Sequence, residues 1–178
     1  GQIVHSDSRD FSIGPAHAPV VIVESFDYRC RSCHAALDWV VRTQRARNDV
    51  RFVFKELPIL SQQSFEAAQA SLAAAPQGRY WQFHRAMMDF RGDLNSARID
   101  ELARQSGIDV PRMRRAMQDP AIMAHLQDNR ARAMDYQING TPGFIINGEL
   151  ISGFDEQLLN ERVRQAAIEA RERRAAQR

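Results

Sequence analysis

The stretch "PVVIVESFDYRCRSCHAA", Pro19 to Ala36, contains both cysteines of a 178-residue chain, Cys30 and Cys33. Its first eight residues are mostly apolar and rich in β-branched side chains, the signature of a buried strand. Ala35, Ala36, Leu37, Val40 and Val41 then recur at helical spacing, which predicts a helix from near Cys30 to about Arg47. "VRFVFKEL", residues 50–57, alternates Val50, Phe52 and Phe54 and stops at Pro58, so a second strand follows. Strand, helix and strand in this order form the repeating unit of a parallel sheet.

Further along, the character changes. Between 61 and 137 the pattern is helical throughout. Phe65, Ala68, Leu72 and Ala75 make one stripe and Tyr80, Phe83 and Met87 another. Ser96 to Arg104 is a third helix, and Asp109 with Pro111 and Asp119 with Pro120 mark two further starts. Strand signals return at "NGTPGFIINGELISGF", residues 139–154, where Asn147-Gly148 is a two-residue hairpin turn. Residues 155–177 close with a helix whose apolar face carries Leu158, Leu159, Val163, Ala166 and Ala167. Residues 1–18 read as an extended lead-in. The expected division is a lead and β-α-β half over 1–60, a helical insertion over 61–137 and a β-β-α half over 138–178.

Composition narrows the chemistry. The chain is 44% hydrophobic and 26% charged, with a net charge of +2, an ordinary globular balance. Lys55 is the sole lysine against 23 arginines, and those are scattered without interleaved aromatics, so nucleic-acid binding is not expected. No apolar run approaches the roughly 20 residues of a membrane span. No signal peptide is visible, and the chain reads as a mature or trimmed one.

Two cysteines three residues apart close almost no loop, so they are chemistry rather than a staple. Three chemistries share the pattern. Zinc requires about four ligands, and His5, His17, His34, His84 and His125 show no paired metal-ligand spacing. C-x-x-C-H is also the attachment pattern of c-type haem, with His34 as the proximal ligand and a methionine as the axial one; most methionines, however, sit on helical apolar stripes. The third chemistry is dithiol exchange. A strand entering and a helix leaving the motif put Cys30 at a helix N-terminus, where free N–H groups and the dipole favour a thiolate. Arg29 and Arg31 flank it and are expected to lower its pKa further. Cys30 is then the attacking sulfur and Cys33 the resolving one. Glu24, inside the apolar strand, is either a strand-end carboxylate facing water or a buried acid–base group with a raised pKa. Asp27 and Tyr28 read as a loop capping the helix. "GTPG", residues 140–143, is a turn into a strand or a cis-proline site.

Taken together, "VVIVESFDYRCRSCH", "FKELPIL", "GRYWQFHRAMM" and "NGTPGFIINGELISGF" resemble the DsbA-like bacterial thiol–disulfide oxidoreductases, in the branch labelled 27-kDa outer-membrane-protein-like. The similarity runs from about Pro19 to Ala170. It implies an α/β thioredoxin fold (β-α-β, β-β-α) with an inserted helical domain. It also implies a redox-active disulfide Cys30–Cys33 with no other cofactor and no metal, Glu24 as the buried acid, Pro142 as the cis-proline packed on the dithiol, and Thr141 as the residue whose backbone pairs with substrate. Arg31 and Ser32, between the cysteines, are further candidates to touch substrate. The family acts on cysteine-containing polypeptides, is recycled by a membrane or soluble redox partner, and works in an exported, oxidising location such as the periplasm. Arg31-Ser32 replaces the proline and histidine of DsbA itself, and Thr141 replaces its valine, being more like the isomerases and reductases. Oxidase activity is expected, isomerase or reductase activity is the alternative, and a redox-dead binding module on the same scaffold is a third possibility.

Overall fold

A computed structural model describes residues 7–178 of the chain. Five strands form one sheet in the order β1-β3-β2-β4-β5: β1 (Phe11–Ile13), β2 (Val20–Phe26), β3 (Val50–Glu56), β4 (Gly143–Ile146) and β5 (Glu149–Ser152). β2 and β3 are parallel, joined by α1 (Arg31–Ala46); β4 runs antiparallel to β2, and β5 antiparallel to β4. This mixed α/β sheet with its β-α-β and β-β-α halves is a thioredoxin-like fold.

The lead-in holds a strand that the sequence reading did not separate. Phe11 and Ile13 pair antiparallel with Phe54 and Phe52 and cover the outer edge of β3. Gly14 makes the turn that follows. Its φ is +117°, and a Cβ there would lie 2.4 Å from the Val50 carbonyl oxygen, so only glycine lets the two backbones approach.

Between β3 and β4 lie α2 (Gln62–Ala74), a 3₁₀ turn (Ala75–Gln77), α3 (Tyr80–Asp89), α4 (Ser96–Gln105), α5 (Val110–Ala116) and α6 (Pro120–Asp135). Asn95, Asp109 and Asp119 each cap the helix that follows with a side-chain oxygen. The buried face of α2 is not the stripe of Phe65, Ala68, Leu72 and Ala75, of which only Ala68 is buried. It is Ser64, Ala67, Ala68, Ala70, Ser71, Ala73 and Ala74, a small-residue surface that lets α2 pack closely on α3 and α5. The chain turns at Asn147 (φ 52°) and Gly148 (φ 79°), the paired left-handed conformation of a tight hairpin. It ends in α7 (Glu156–Ala176).

The main core lies on the sheet face carrying Val20, Ile22, Phe26, Phe52, Phe54, Phe144 and Ile146. Trp39 of α1 is fully buried there, edge-on to Phe52 and Phe144, with its indole N–H donating to Asn160 Oδ1 at 2.7 Å. Glu24 pairs in register with Phe54 and Phe144 and therefore points into this apolar face. The opposite face carries a smaller cluster of Val23, Val53 and Ile145, covered by Tyr136 and Ile138.

Candidate active site

β2 ends at Phe26 and delivers the loop Asp27–Arg29 directly to α1. Cys30 is the N-cap of α1: its backbone is extended (φ −85°, ψ 121°) and its Sγ accepts the Cys33 N–H at 3.2 Å. A thiolate here receives a real hydrogen bond as well as the dipole of a 16-residue helix. Both cysteines are free in this structure, and they differ sharply in environment. Cys33 is sealed in the core at 1% exposure, while Cys30 sits at the rim at 6%.

The partner of Cys30 across the site comes from 111 residues downstream. The Thr141–Pro142 peptide is cis, and the Cys30 thiol donates to the Thr141 carbonyl oxygen at 3.2 Å. The Pro142 carbonyl accepts from Gly153 N–H at 2.8 Å, which ties this loop to the end of β5. Arg31 and Ser32 are exposed on the first turn of α1, beside the mouth that Cys30 occupies.

Electrostatics separate the two sulfurs. The Cys30 thiol is lowered to about 6, first by its hydrogen bond with the Cys33 thiol, and also by the Thr141 side chain and the Cys33 N–H; burial and the Asp27 charge oppose this. The Thr141 carbonyl serves only the protonated sulfur, so ionisation exchanges that bond for the donors of Cys33. Cys33 moves the other way. Burial pushes its thiol far above the ordinary range, helped by Cys30 and by the Glu24 charge. Glu24, 3% exposed, is raised to about 8 by burial, then by the charges of Cys30 and Glu56.

Arg29 does not supply the expected help. Arg29 turns away and donates from Nη1 to the Gly92 carbonyl at 2.6 Å, joining the motif loop to the α3–α4 connection. Arg29 is not among the leading influences on Cys30. A flanking position in sequence says nothing about where a long side chain points.

Several residues at the site take roles that the sequence reading did not give them. Asp27, read as a loop cap, is 1% exposed. Its carboxylate accepts from Arg29 N–H at 2.7 Å and from Ile59 and Leu60 N–H at 2.9 and 3.0 Å, so it clamps the dithiol loop to the β3–α2 loop. His34 Nε2, the atom that would meet a haem iron, lies 2.6 Å from the Tyr28 carbonyl oxygen and is engaged there as a donor. Glu56, buried beneath Tyr28 and Tyr80, accepts from their hydroxyls at 3.3 and 2.9 Å. The sequence signal for Glu56 was the same as for Glu24: a carboxylate in an apolar strand, in phase with its buried face.

One cluster with metal-ligand chemistry occurs among the described residues: Asp7, Asp10 and His125. Their charges are already met by protein cations. Lys55 Nζ lies against Asp10, Arg9 and Arg132 hold Asp7, and His125 Nε2 is 2.9 Å from Asp10 Oδ1. Lys55 alternates with Phe54 and Glu56 on β3, so this network lies across the sheet from the dithiol.

A capped, ionisable cysteine with a buried partner one turn later, facing a cis-proline loop, is the apparatus of dithiol exchange. The class so defined is the thiol–disulfide oxidoreductases on a thioredoxin fold. Residues 6–169 match the family model described as Thioredoxin, and the chain belongs to that family, on its DsbA-like side. A thioredoxin-like oxidoreductase from Silicibacter pomeroyi DSS-3 superposes with a TM-score of 0.89 at 35% identity, covering 93% of this chain and 96% of that one. The thiol-disulfide exchange protein alpha-DsbA2 from Wolbachia pipientis gives 0.83 at 26% identity, covering 89% and 88%. Among curated proteins, Na(+)/H(+) antiporter NhaA 3 of Salinispora tropica is 30% identical over 166 residues. That match covers 92% of this chain and 26% of the antiporter, so the chain spans about a quarter of that relative's length. No helix among the described residues is long and apolar enough to cross a membrane.

Proposed function

We propose that the chain oxidises cysteine-containing polypeptides through a Cys30–Cys33 disulfide, as an exported, periplasmic enzyme. The observation that carries this reading is the asymmetry of the pair: Cys30 at the rim with its thiolate stabilised, Cys33 buried with its thiolate disfavoured. Stabilising the leaving thiolate stabilises the reduced enzyme, which makes the disulfide form an oxidant.

The steps follow from the geometry. A substrate thiolate approaches beside Thr141 and attacks Cys30 Sγ. The Cys30–Cys33 bond breaks, a mixed disulfide forms at Cys30, and the Cys33 thiolate takes a proton from Glu24. A second substrate thiolate attacks the substrate sulfur of the mixed disulfide, and Cys30 leaves as the thiolate. Two electrons have passed from the substrate dithiol to the enzyme. A redox partner then removes them, with Glu24 accepting the Cys33 proton in the reverse sense. Arg31, Ser32 and the Thr141 backbone line the approach and are the groups we assign to substrate contact.

Isomerase or reductase activity is the competing direction, suggested by the threonine before Pro142. The reduction potential decides between them. The expected value lies above the roughly −270 mV of thioredoxin and below the roughly −120 mV of DsbA. A value at the thioredoxin end sinks the oxidase reading.

A further inference from the structure

The exchange reaction proposed above needs a proton to enter and leave a sealed core. Cys33 is 1% exposed and Glu24 3% exposed, so the control of that proton lies in what surrounds Glu24. The sheet register places a second carboxyl next to it. Glu24 on β2 pairs with Phe54 on β3, and Phe26 pairs with Glu56; Glu24 and Glu56 therefore project from the same face of neighbouring strands. With a rise of about 3.3 Å per residue and a strand spacing of about 4.8 Å, the two backbones are roughly 8 Å apart at these positions.

Glu56 is held with unusual care for a strand-end glutamate. It is 1% exposed. Tyr80 of α3 and Tyr28 of the dithiol loop donate to its Oε1, and Tyr28 also lies 2.9 Å from Ser71 Oγ of α2 and 2.9 Å from His84 Nδ1 of α3. Asn129 of α6 donates to the Glu56 backbone carbonyl at 3.0 Å. The dithiol loop, α2 and α3 thus converge on one carboxylate that has no part in the direct chemistry of the sulfurs, and α6 holds its backbone. No cation of this cluster pairs with it. The charged and titratable groups that act on it are Tyr80, Tyr28, Asp27 and, on the neighbouring strand, Glu24; His84 reaches it through Tyr28, and Arg85 acts on His84.

We propose that Glu56 is a positioning residue for the proton of thiol–disulfide exchange: its carboxylate, clamped by Tyr28 and Tyr80, acts through Glu24 to keep the acid in its proton-donating form when Cys33 leaves. The inference rests on the oxidoreductase reading and adds to it a second, indirect carboxyl. Burial raises Glu56 to about 8, and the Ser71, Tyr80 and Tyr28 hydrogen bonds pull it back, so these hydroxyls set how much charge it carries. His84 stays neutral because burial and Arg85 hold it down to about 3, so it brings no positive charge to the cluster.

The test is the pH profile of the reaction of the oxidised full chain with glutathione, each rate divided by the glutathione thiolate concentration. Wild type, Glu56→Gln, Glu24→Gln, the double variant and Tyr80→Phe are compared. Taking the backbone spacing of roughly 8 Å as the scale, at an effective dielectric of about 20 and with Glu56 partly ionised near its own inflection, Glu56→Gln is expected to move the Glu24 inflection down by about one pH unit. Tyr80→Phe, which weakens the clamp and leaves Glu56 more often neutral, moves it in the same direction by less and serves if Glu56→Gln does not fold. The double variant is expected to match Glu24→Gln, and the Cys30 thiolate titration to stay in place. A folded Glu56→Gln or Tyr80→Phe protein whose profile overlays wild type overturns the inference and leaves the oxidoreductase reading standing. So does an equal shift in the Glu24→Gln background. A wild type without Cys30-dependent exchange overturns both.

Discussion

At the scale of single residues, the chemistry turns on which groups face one sulfur. Cys30 gains from the Cys33 thiol, the Thr141 side chain and the Cys33 N–H, and loses to burial and to Asp27. The two side chains outside the dithiol make opposite predictions. Thr141→Val removes a favourable bond at nearly constant volume, so the Cys30 inflection rises above about 6 and the protein becomes a weaker oxidant. Asp27→Asn removes the opposing charge and keeps one oxygen as acceptor, so the inflection falls. Thiolate absorbance against pH measures both, and movement of the pair in the same direction contradicts this account. Asp27 is also a structural clamp. Its variant loses part of the bonding to Ile59 and Leu60, worth about 1–3 kcal/mol when a buried donor goes unmet.

At the scale of elements, α1 carries the site and is seated by one large side chain. Trp39 lies between Phe52 of β3 and Phe144 of β4 and reaches α7 through Asn160. Trp39→Ala should cost about 3–5 kcal/mol in the urea midpoint-derived stability, because the cavity opens where sheet, α1 and α7 meet. A loss below about 1 kcal/mol shows that α1 is held elsewhere. The boundaries of α1, β2 and β3 were legible in the sequence because strong apolar periodicity and Pro58 mark them. The buried face of α2 was not. Its alanines and serines offer little contrast in hydrophobicity, and only the close approach of α3 and α5 selects them over Phe65 and Leu72. β1 escaped for a related reason: three residues pairing at an edge carry too short a pattern.

For the whole molecule, buried titratable groups couple stability to pH, and their signs differ. Glu24 and Glu56 are raised to about 8, so their contribution is full below about 4.5 and is lost as pH rises through about 8. Cys30 is lowered from 9.0 to about 6, so its contribution is present above about 9 and is lost as pH falls through about 6. The carboxyls exist in both redox forms, whereas the thiolate exists only in the reduced one. The melting temperature of the reduced protein minus that of the oxidised protein should therefore increase from pH 6 to pH 9. A flat or falling difference, measured by thermal unfolding in matched buffers, contradicts a stabilised Cys30 thiolate.

The sequence by itself determined the order of elements from β2 onward, the N-terminal placement of Cys30 on a helix and the apolar setting of Glu24. These are properties of contiguous residues, written in local periodicity and capping. Tertiary structure alone decided that Thr141, 111 residues away, reaches Cys30, and that Arg29 leaves it for Gly92. It also decided that Glu56, Tyr28, Tyr80 and His84 meet beneath the dithiol. Sheet register and the packing of the helices bring those groups together, and neither is encoded in the spacing of residues along the chain.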